Sequence, residues 1–328
     1  MTTDTLEASG ITIQTHTVKT RLRRIPVITV NECITQWCDW LRKHAAARTY
    51  DSYSSAARNW AAQMKLGGKD IVKVDEDDIS KWINSDSKTK RSSRTLYLSI
   101  IRSLFRFLVI KAIIRPDPSR LVRINYGILD HEQKESREVL LFSDHQFATL
   151  ILHLDTEITA LRPLIEKYTI PRVVQKLLAR RSRLLFWKCA TVISRCTGLR
   201  LGDVCQLEWA CFKDGKFAVW TDKRNKRVEP HIWNRPLFDE ITAMLPADDA
   251  QYVFPDQRKM ILNANRRSGL STTFTKLCQR VNLGGRSFHS LRHTYATECR
   301  KAGIPTPHIA SSLGHSSTLT TEGYIHEL

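Results

Sequence analysis

The sequence predicts a mainly α protein of two domains with one small antiparallel β-sheet. Three observations carry this reading. Apolar residues recur at helical spacing through both halves of the 328-residue chain, a single stretch from Phe217 to Ile232 reads as strand, turn and strand, and a proline stop followed by polar text separates the halves. With 42% hydrophobic residues the chain has enough apolar surface for two cores.

Taken in order, residues 1–25 are polar with a basic cluster, Lys19, Arg21, Arg23 and Arg24, and read as a flexible arm. Residues 26–122 form the first helical domain. Val30, Ile34, Trp37 and Leu41 give one apolar stripe and Tyr53, Ala57, Trp60 and Met64 the next. Asp75 to Asp78 supply the acidic start that a helix dipole favours, ahead of Ile79, Trp82 and Ile83. The longest helix spans Arg94 to Ile114, with Leu96, Ile100, Leu104, Phe107 and Leu108 on one face, and Arg115-Pro116-Asp117-Pro118 ends it. Lys88, Lys90, Arg91 and Arg94, at its beginning, are candidates for phosphate contacts. Residues 123–138 read as a linker. The second domain, 139–328, opens with Ser143 as a helix cap. Within it, residues 155–182, containing Pro163, Pro171 and Arg180-Arg181, form a possible insertion. Cys196 to Trp209 reads as a helix end, a turn at Gly198 and a short helix beginning near Gly202. Phe217 to Thr221 is a strand by its β-branched and aromatic content, and Asp222 to Arg227 is the turn into Val228 to Ile232.

Charge narrows the substrate. A net charge of +18 favours polyanions through counterion release, although basic ribosomal or membrane-surface proteins share it. No apolar run reaches a membrane span and the N-terminus has no secretory pattern, so a cytoplasmic protein is expected. The eight cysteines include no Cys-x-x-Cys pair and are expected to be reduced core residues.

The chemistry gathers at the C-terminus, in His289, Arg292 and His293, then Leu313-Gly314-His315, then Tyr324. A tyrosine hydroxyl, with a pKa near ~10, becomes a nucleophile only where cations neutralise its electrophile and a base takes its proton. Arg292 offers a fork of donors for phosphate oxygens, and His289 and His315 can donate or shuttle a proton. Arg200, at the Gly198 turn, supplies a second guanidinium, with Asp203 three positions on. The set points to attack by Tyr324 on a phosphodiester. His289, His293 and His315 could instead imitate a zinc triad, but Arg292 beside them would repel a cation. No metal and no cofactor is therefore expected.

These motifs resemble the tyrosine recombinases, or phage integrase family, in kind and order. Thr197-Gly198-Leu199-Arg200 with Asp203, His289 to His293, Leu313-Gly314-His315, and Tyr324 nine residues later match the family's four patterns. The resemblance implies a SAM-like helical core-binding domain and a mainly α catalytic domain of the DNA breaking-rejoining fold. It implies site-specific recombination through a 3′-phosphotyrosine, with Tyr324 as nucleophile, Arg200, Arg292, His289 and His315 around the phosphate, and Lys223 on the β-hairpin as general acid. Lys226 is the second candidate for that role and for contacting DNA; Asp203 and His293 are supporting residues. Expected partners are double-stranded DNA with inverted half-sites, a homodimer on each site and a homotetramer in synapsis. A type IB topoisomerase, or a catalytically silent DNA-binding relative, is the alternative.

Overall fold

The computed structural model of the protein describes residues 27–85, 91–125, 139–213, 216–221, 226–245, 251–263 and 267–325, and its contacts separate into two units, Met1–Lys134 and Glu135–Leu328. The basic arm, most of the linker, and Lys88, Lys90 and Lys223 lie outside the described residues, as does the side chain of Arg91.

In the first unit the helices are α1 (Val30–His44), α2 (Ala47–Gln63), α3 (Glu76–Asn84) and α4 (Arg91–Ile110). Thr29 and Glu32 cap α1 reciprocally, and Asp75 and Asp78 do the same for α3, so each start satisfies two otherwise orphaned N–H groups. Trp37, Trp60, Ile79, Leu104 and Phe105 fill the core, with the Trp60 and Phe105 rings edge to face at 5.9 Å.

Three expectations are corrected here. Helix α4 ends at Ile110 rather than Ile114: Ala112 turns left-handed at φ 55° and the Ile113 N–H reaches back to the Leu108 carbonyl, which carries buried Ile114 into the core before any proline is met. Leu96 is exposed, while Leu98, Ile101 and Phe105 join the buried face. Arg94, expected to face phosphate, is buried and donates through Nη1 to the Asn125 carbonyl at 3.3 Å, fastening α4 to the segment that follows it.

The second unit is built on a long helical hairpin, α5 (Asp144–Lys167) and α6 (Pro171–Thr197). Ser143 caps α5 in a box with Gln146. Residues 155–182 add length to this hairpin instead of forming a separate element. Pro163 leaves α5 intact because it and Thr159, whose carbonyl it cannot pair, are both exposed to water. Ion pairs Lys188–Asp155 at 2.7 Å and Arg195–Asp144 at 3.1 Å hold the two helices together. The last third of α6 is buried nearly all round, with Trp187 tilted against Phe274 at 5.6 Å.

The helices that follow are α7 (Leu201–Cys205), α8 (Arg235–Ala243), α9 (Pro255–Leu262), α10 (Arg267–Arg280), α11 (Phe288–Lys301), α12 (Thr306–Ser312) and α13 (Thr318–Glu322). Strands β1 (Val219–Thr221) and β2 (Lys226–Val228) pair antiparallel with Val219 opposite Val228 and Thr221 opposite Lys226. Lys226 is thus a strand residue and not part of the turn expected over Asp222 to Arg227; residues 222–225 of that expectation lie outside the described residues. All eight cysteines are free and all but Cys211 are buried. Burial pushes the thiols of Cys189, Cys196 and Cys299 up to about 11 and those of Cys205 and Cys278 up to about 12. No helix of the described residues is long and apolar enough to cross a membrane.

Candidate active site

Four elements converge on one cluster: the α6–α7 corner, α11, the α12–α13 turn and the residues after α13. The corner forms because Gly198 ends α6 left-handed, at φ 69°. A Cβ there would lie 2.6 Å from both Leu313 and Tyr295, so glycine is required by backbone and by space. The corner leaves Arg200 partly exposed, its Nη1 3.8 Å from the buried carboxylate of Asp203.

Helix α11 presents His289, Arg292 and His293 on one face, as positions three and four apart must be. Arg292 is 1% exposed and makes the densest contacts of the site. It donates through Nη1 to the Gly198 carbonyl at 2.7 Å and through Nη2 to the Leu313 carbonyl at 2.6 Å and to His315 Nε2 at 2.9 Å. It thereby ties the α6–α7 corner to the α12–α13 turn. Its Nε is buried with no hydrogen-bond partner. Burial, and then the Arg200 charge, pull the Arg292 pKa down to about 10, against the opposing pull of Tyr324 and Asp203; the group stays a cation at neutral pH.

The His315 tautomer follows from these bonds. A guanidinium can only donate, so Nε2 accepts, and the proton of the neutral ring sits on Nδ1, which donates to Thr321 Oγ1 at 2.9 Å. Thr321 is fully buried three residues before Tyr324 and was not singled out in the sequence. Its only signal there is a threonine one helical turn ahead of the tyrosine. Gly314, left-handed at φ 66°, brings this turn close to Val228 and Thr221, at the base of the β-hairpin. Exposed Lys226, opposite Thr221, is accordingly next to the site.

Tyr324 is ringed by the three imidazoles. Its hydroxyl is 3.0 Å from His289 Nε2, its ring stacks on His293 at 4.3 Å with planes 15° apart, and His315 lies 4.9 Å away. The Arg292 guanidinium carbon is 5.5 Å from the same ring. Among the described residues no three His, Cys, Asp or Glu side chains group as metal ligands. The expected residues Arg200, Asp203, His289, Arg292, His293, His315 and Tyr324 are therefore assembled in one place. Arg94 is in the other unit and buried, and Lys223 is outside the described residues.

A tyrosine hydroxyl against an imidazole, backed by one guanidinium at a helix start and a second within a helix, defines a class of protein that transfers phosphoryl groups through tyrosine. Comparison with known proteins places the chain within it. Residues 164–328 match the phage integrase family and residues 34–111 the phage integrase N-terminal SAM-like domain. The chain is 21% identical to a tyrosine recombinase XerC-like protein of Caldanaerobacter subterraneus subsp. tengcongensis, over 91% of this chain and 79% of that one. It is 22% identical to a tyrosine recombinase XerD of Neisseria meningitidis serogroup B, over 88% and 90%. Among solved structures, a lambda integrase dimer bound to a core site superposes with a TM-score of 0.65 at 16% identity, over 91% of this chain and 96% of that one. The Tn1549 transposon integrase in complex with transposon right end DNA gives 0.64 at 16% identity, over 92% and 96%. The chain belongs to the phage integrase family and is a tyrosine site-specific recombinase.

Proposed function

We propose that Tyr324 is the nucleophile of a strand transfer on double-stranded DNA, the reading best supported by its hydroxyl lying 3.0 Å from His289 Nε2. Tyr324 Oη gives its proton to His289 and attacks phosphorus, while the bond from phosphorus to the 5′ oxygen breaks. The products are a 3′-phosphotyrosine and a 5′ hydroxyl, to which Lys223 supplies the proton. The 5′ hydroxyl of the partner strand then attacks the phosphotyrosine and releases Tyr324, so no external energy source enters. Arg200 and Arg292 neutralise charge on the non-bridging oxygens; the unpartnered Arg292 Nε is a donor suited to one of them. Movement of Arg292 Nη2 onto phosphate would free His315 Nε2 for proton transfer, with Thr321 keeping the ring in register. His293 supports the tyrosine ring, Asp203 holds Arg200, and Lys226, with Lys88, Lys90 and Arg91 of the first unit, contacts the backbone.

By analogy with the integrases solved on DNA as dimer and tetramer, two protomers would bind inverted half-sites and two pairs would synapse. The protein would act in the cytoplasm, on nucleoid DNA. A nicked suicide duplex built from the DNA flanking the gene tests the chemistry. Wild type is expected to form a covalent adduct and Tyr324→Phe none, with duplex binding kept; an adduct in the Phe variant would remove Tyr324 as nucleophile. Lys223→Ala should slow cleavage by roughly 10²–10⁴, the worth of a positioned general acid. A bridging 5′-phosphorothiolate, whose leaving group needs no proton, should restore it; rescue of Lys226→Ala alone would reverse the assignment. Relaxation of supercoiled DNA lacking any site, without synapsis, would favour the topoisomerase alternative.

A further inference from the structure

The outer part of the α5–α6 hairpin carries more positive charge than its own carboxylates offset. From Thr159 to Arg183 the chain has seven cations, Arg162, Lys167, Arg172, Lys176, Arg180, Arg181 and Arg183, against one carboxylate, Glu166. Nearer the catalytic cluster, the cations of α6 are matched: Lys188 pairs with Asp155 and Arg195 with Asp144. Farther out, Arg180 meets Glu157 at 3.2 Å, whereas Arg172, Lys176, Arg181 and Arg183 are exposed, with no carboxylate of the described residues within ion-pair reach.

Local electrostatics oppose this arrangement. Arg172 occupies the first turn of α6, where the helix dipole is positive and no acidic residue offsets it. Arg172, Lys176 and Arg180 follow at intervals of four, so like charges repel by about 0.2–0.5 kcal/mol per pair in an isolated helix. At about 100° per residue, Arg172, Lys176, Arg180 and Arg183 fall within about 80° of one another, a stripe about 17 Å long. A strand of duplex DNA presents a phosphate about every 3.4 Å along its axis, so the stripe is long enough to face several. A second copy of this chain, at net charge +18, is a poor counterpart; a polyanion is a good one.

We propose that this stripe is an auxiliary phosphate-backbone clamp for duplex DNA away from the cleaved bond. It rests on the recombinase reading for its ligand but not on any catalytic role. Fourteen residues separate Arg183 from Thr197 and twenty-five separate Arg172 from it, which places the stripe about 20–40 Å along α6 from the catalytic corner. Its contacts would carry no sequence information; they would hold the duplex in orientation.

The test compares wild type with the triple variant Arg172→Gln, Lys176→Gln, Arg183→Gln, and with the control Arg162→Gln, Arg235→Gln, whose cations are ion-paired on the surface. Binding to a random-sequence duplex of about 40 base pairs is followed as salt is raised. The slope of log K against log salt should be smaller by about 3 for the triple variant, since each lost phosphate contact removes about 0.9, and should change by less than 1 for the control. At saturating protein the adduct with the suicide duplex should still form. An unchanged slope in the triple variant would overturn the clamp and leave the recombinase reading intact. An unchanged slope with altered sedimentation of the protein alone would assign the stripe to a protein neighbour instead. Absence of duplex binding by wild type would sink both readings.

Discussion

Arg292 shows how far one residue can organise a site. Its three hydrogen bonds to Gly198, Leu313 and His315 bring together segments 94 and 21 residues away in sequence, and it stays charged in spite of burial. Thr321 bonds to His315 Nδ1, so Thr321→Val tests the positioning role proposed for it. The substitution leaves Nδ1–H buried without its acceptor, a penalty of about 1–3 kcal/mol, and lets the ring turn. Adduct formation should slow by about tenfold or more while duplex affinity holds, and Thr321→Ser should restore the rate. Equal losses of affinity and rate in Thr321→Val would show a merely structural role. At this scale the sequence was highly legible for the polar residues that the structure brings together. Tyr324, His289, Arg292, His315 and Arg200 are polar residues in fixed order that a core alone would not demand. Thr321 was illegible because a buried threonine in a short helix has no distinguishing spacing. Arg94 was misread because its burial depends on the Asn125 carbonyl, 31 residues away.

At the scale of elements, turns decide where the chemistry goes. Gly198→Ala sets an alanine at φ 69° and its Cβ against Leu313 and Tyr295. Strain of about 1 kcal/mol and overpacking of about 1–3 kcal/mol add to roughly 2–4 kcal/mol. For a unit of this size that lowers Tm by roughly 5–15 °C, readable by calorimetry, and cleavage should fall further than stability explains because Arg200 moves with the corner. A melting point within about 2 °C of wild type would mean that the corner yields easily. Element types were legible from periodicity and caps: Ser143, Asp75 and Gly198 all act where the sequence puts them. Ends were less so. The proline stop masked the earlier left-handed turn at Ala112, a residue with no intrinsic signal for it, and the strand register that takes Lys226 out of the turn is set by pairing with Thr221.

Across the whole molecule, burial of neutral thiols links stability to alkaline pH. Desolvation raises Cys33 to about 11 in the first unit and Cys189, Cys196, Cys205, Cys278 and Cys299 to about 11 or 12 in the second, from an ordinary value of 9.0, and it also holds the Tyr295 phenol well above its usual range. A pKa raised on folding means that the native state keeps protons the unfolded chain releases. The stabilising contribution is therefore full below pH 9 and is lost as pH climbs through 9 to 12. Arg292 runs the other way: its depressed pKa makes its burial costly below about 10, and that cost is relieved above it. One guanidinium stands against six thiols and a phenol, so the net slope is downward. Melting temperature should be nearly flat from pH 7 to 8.5 as far as these groups decide it, and should fall from 9 to 11. The double variant Cys205→Ala, Cys278→Ala should start lower, since each change opens a small cavity, but should lose less over the same interval. Parallel pH profiles for wild type and variant would show that thiol burial does not set the alkaline limit.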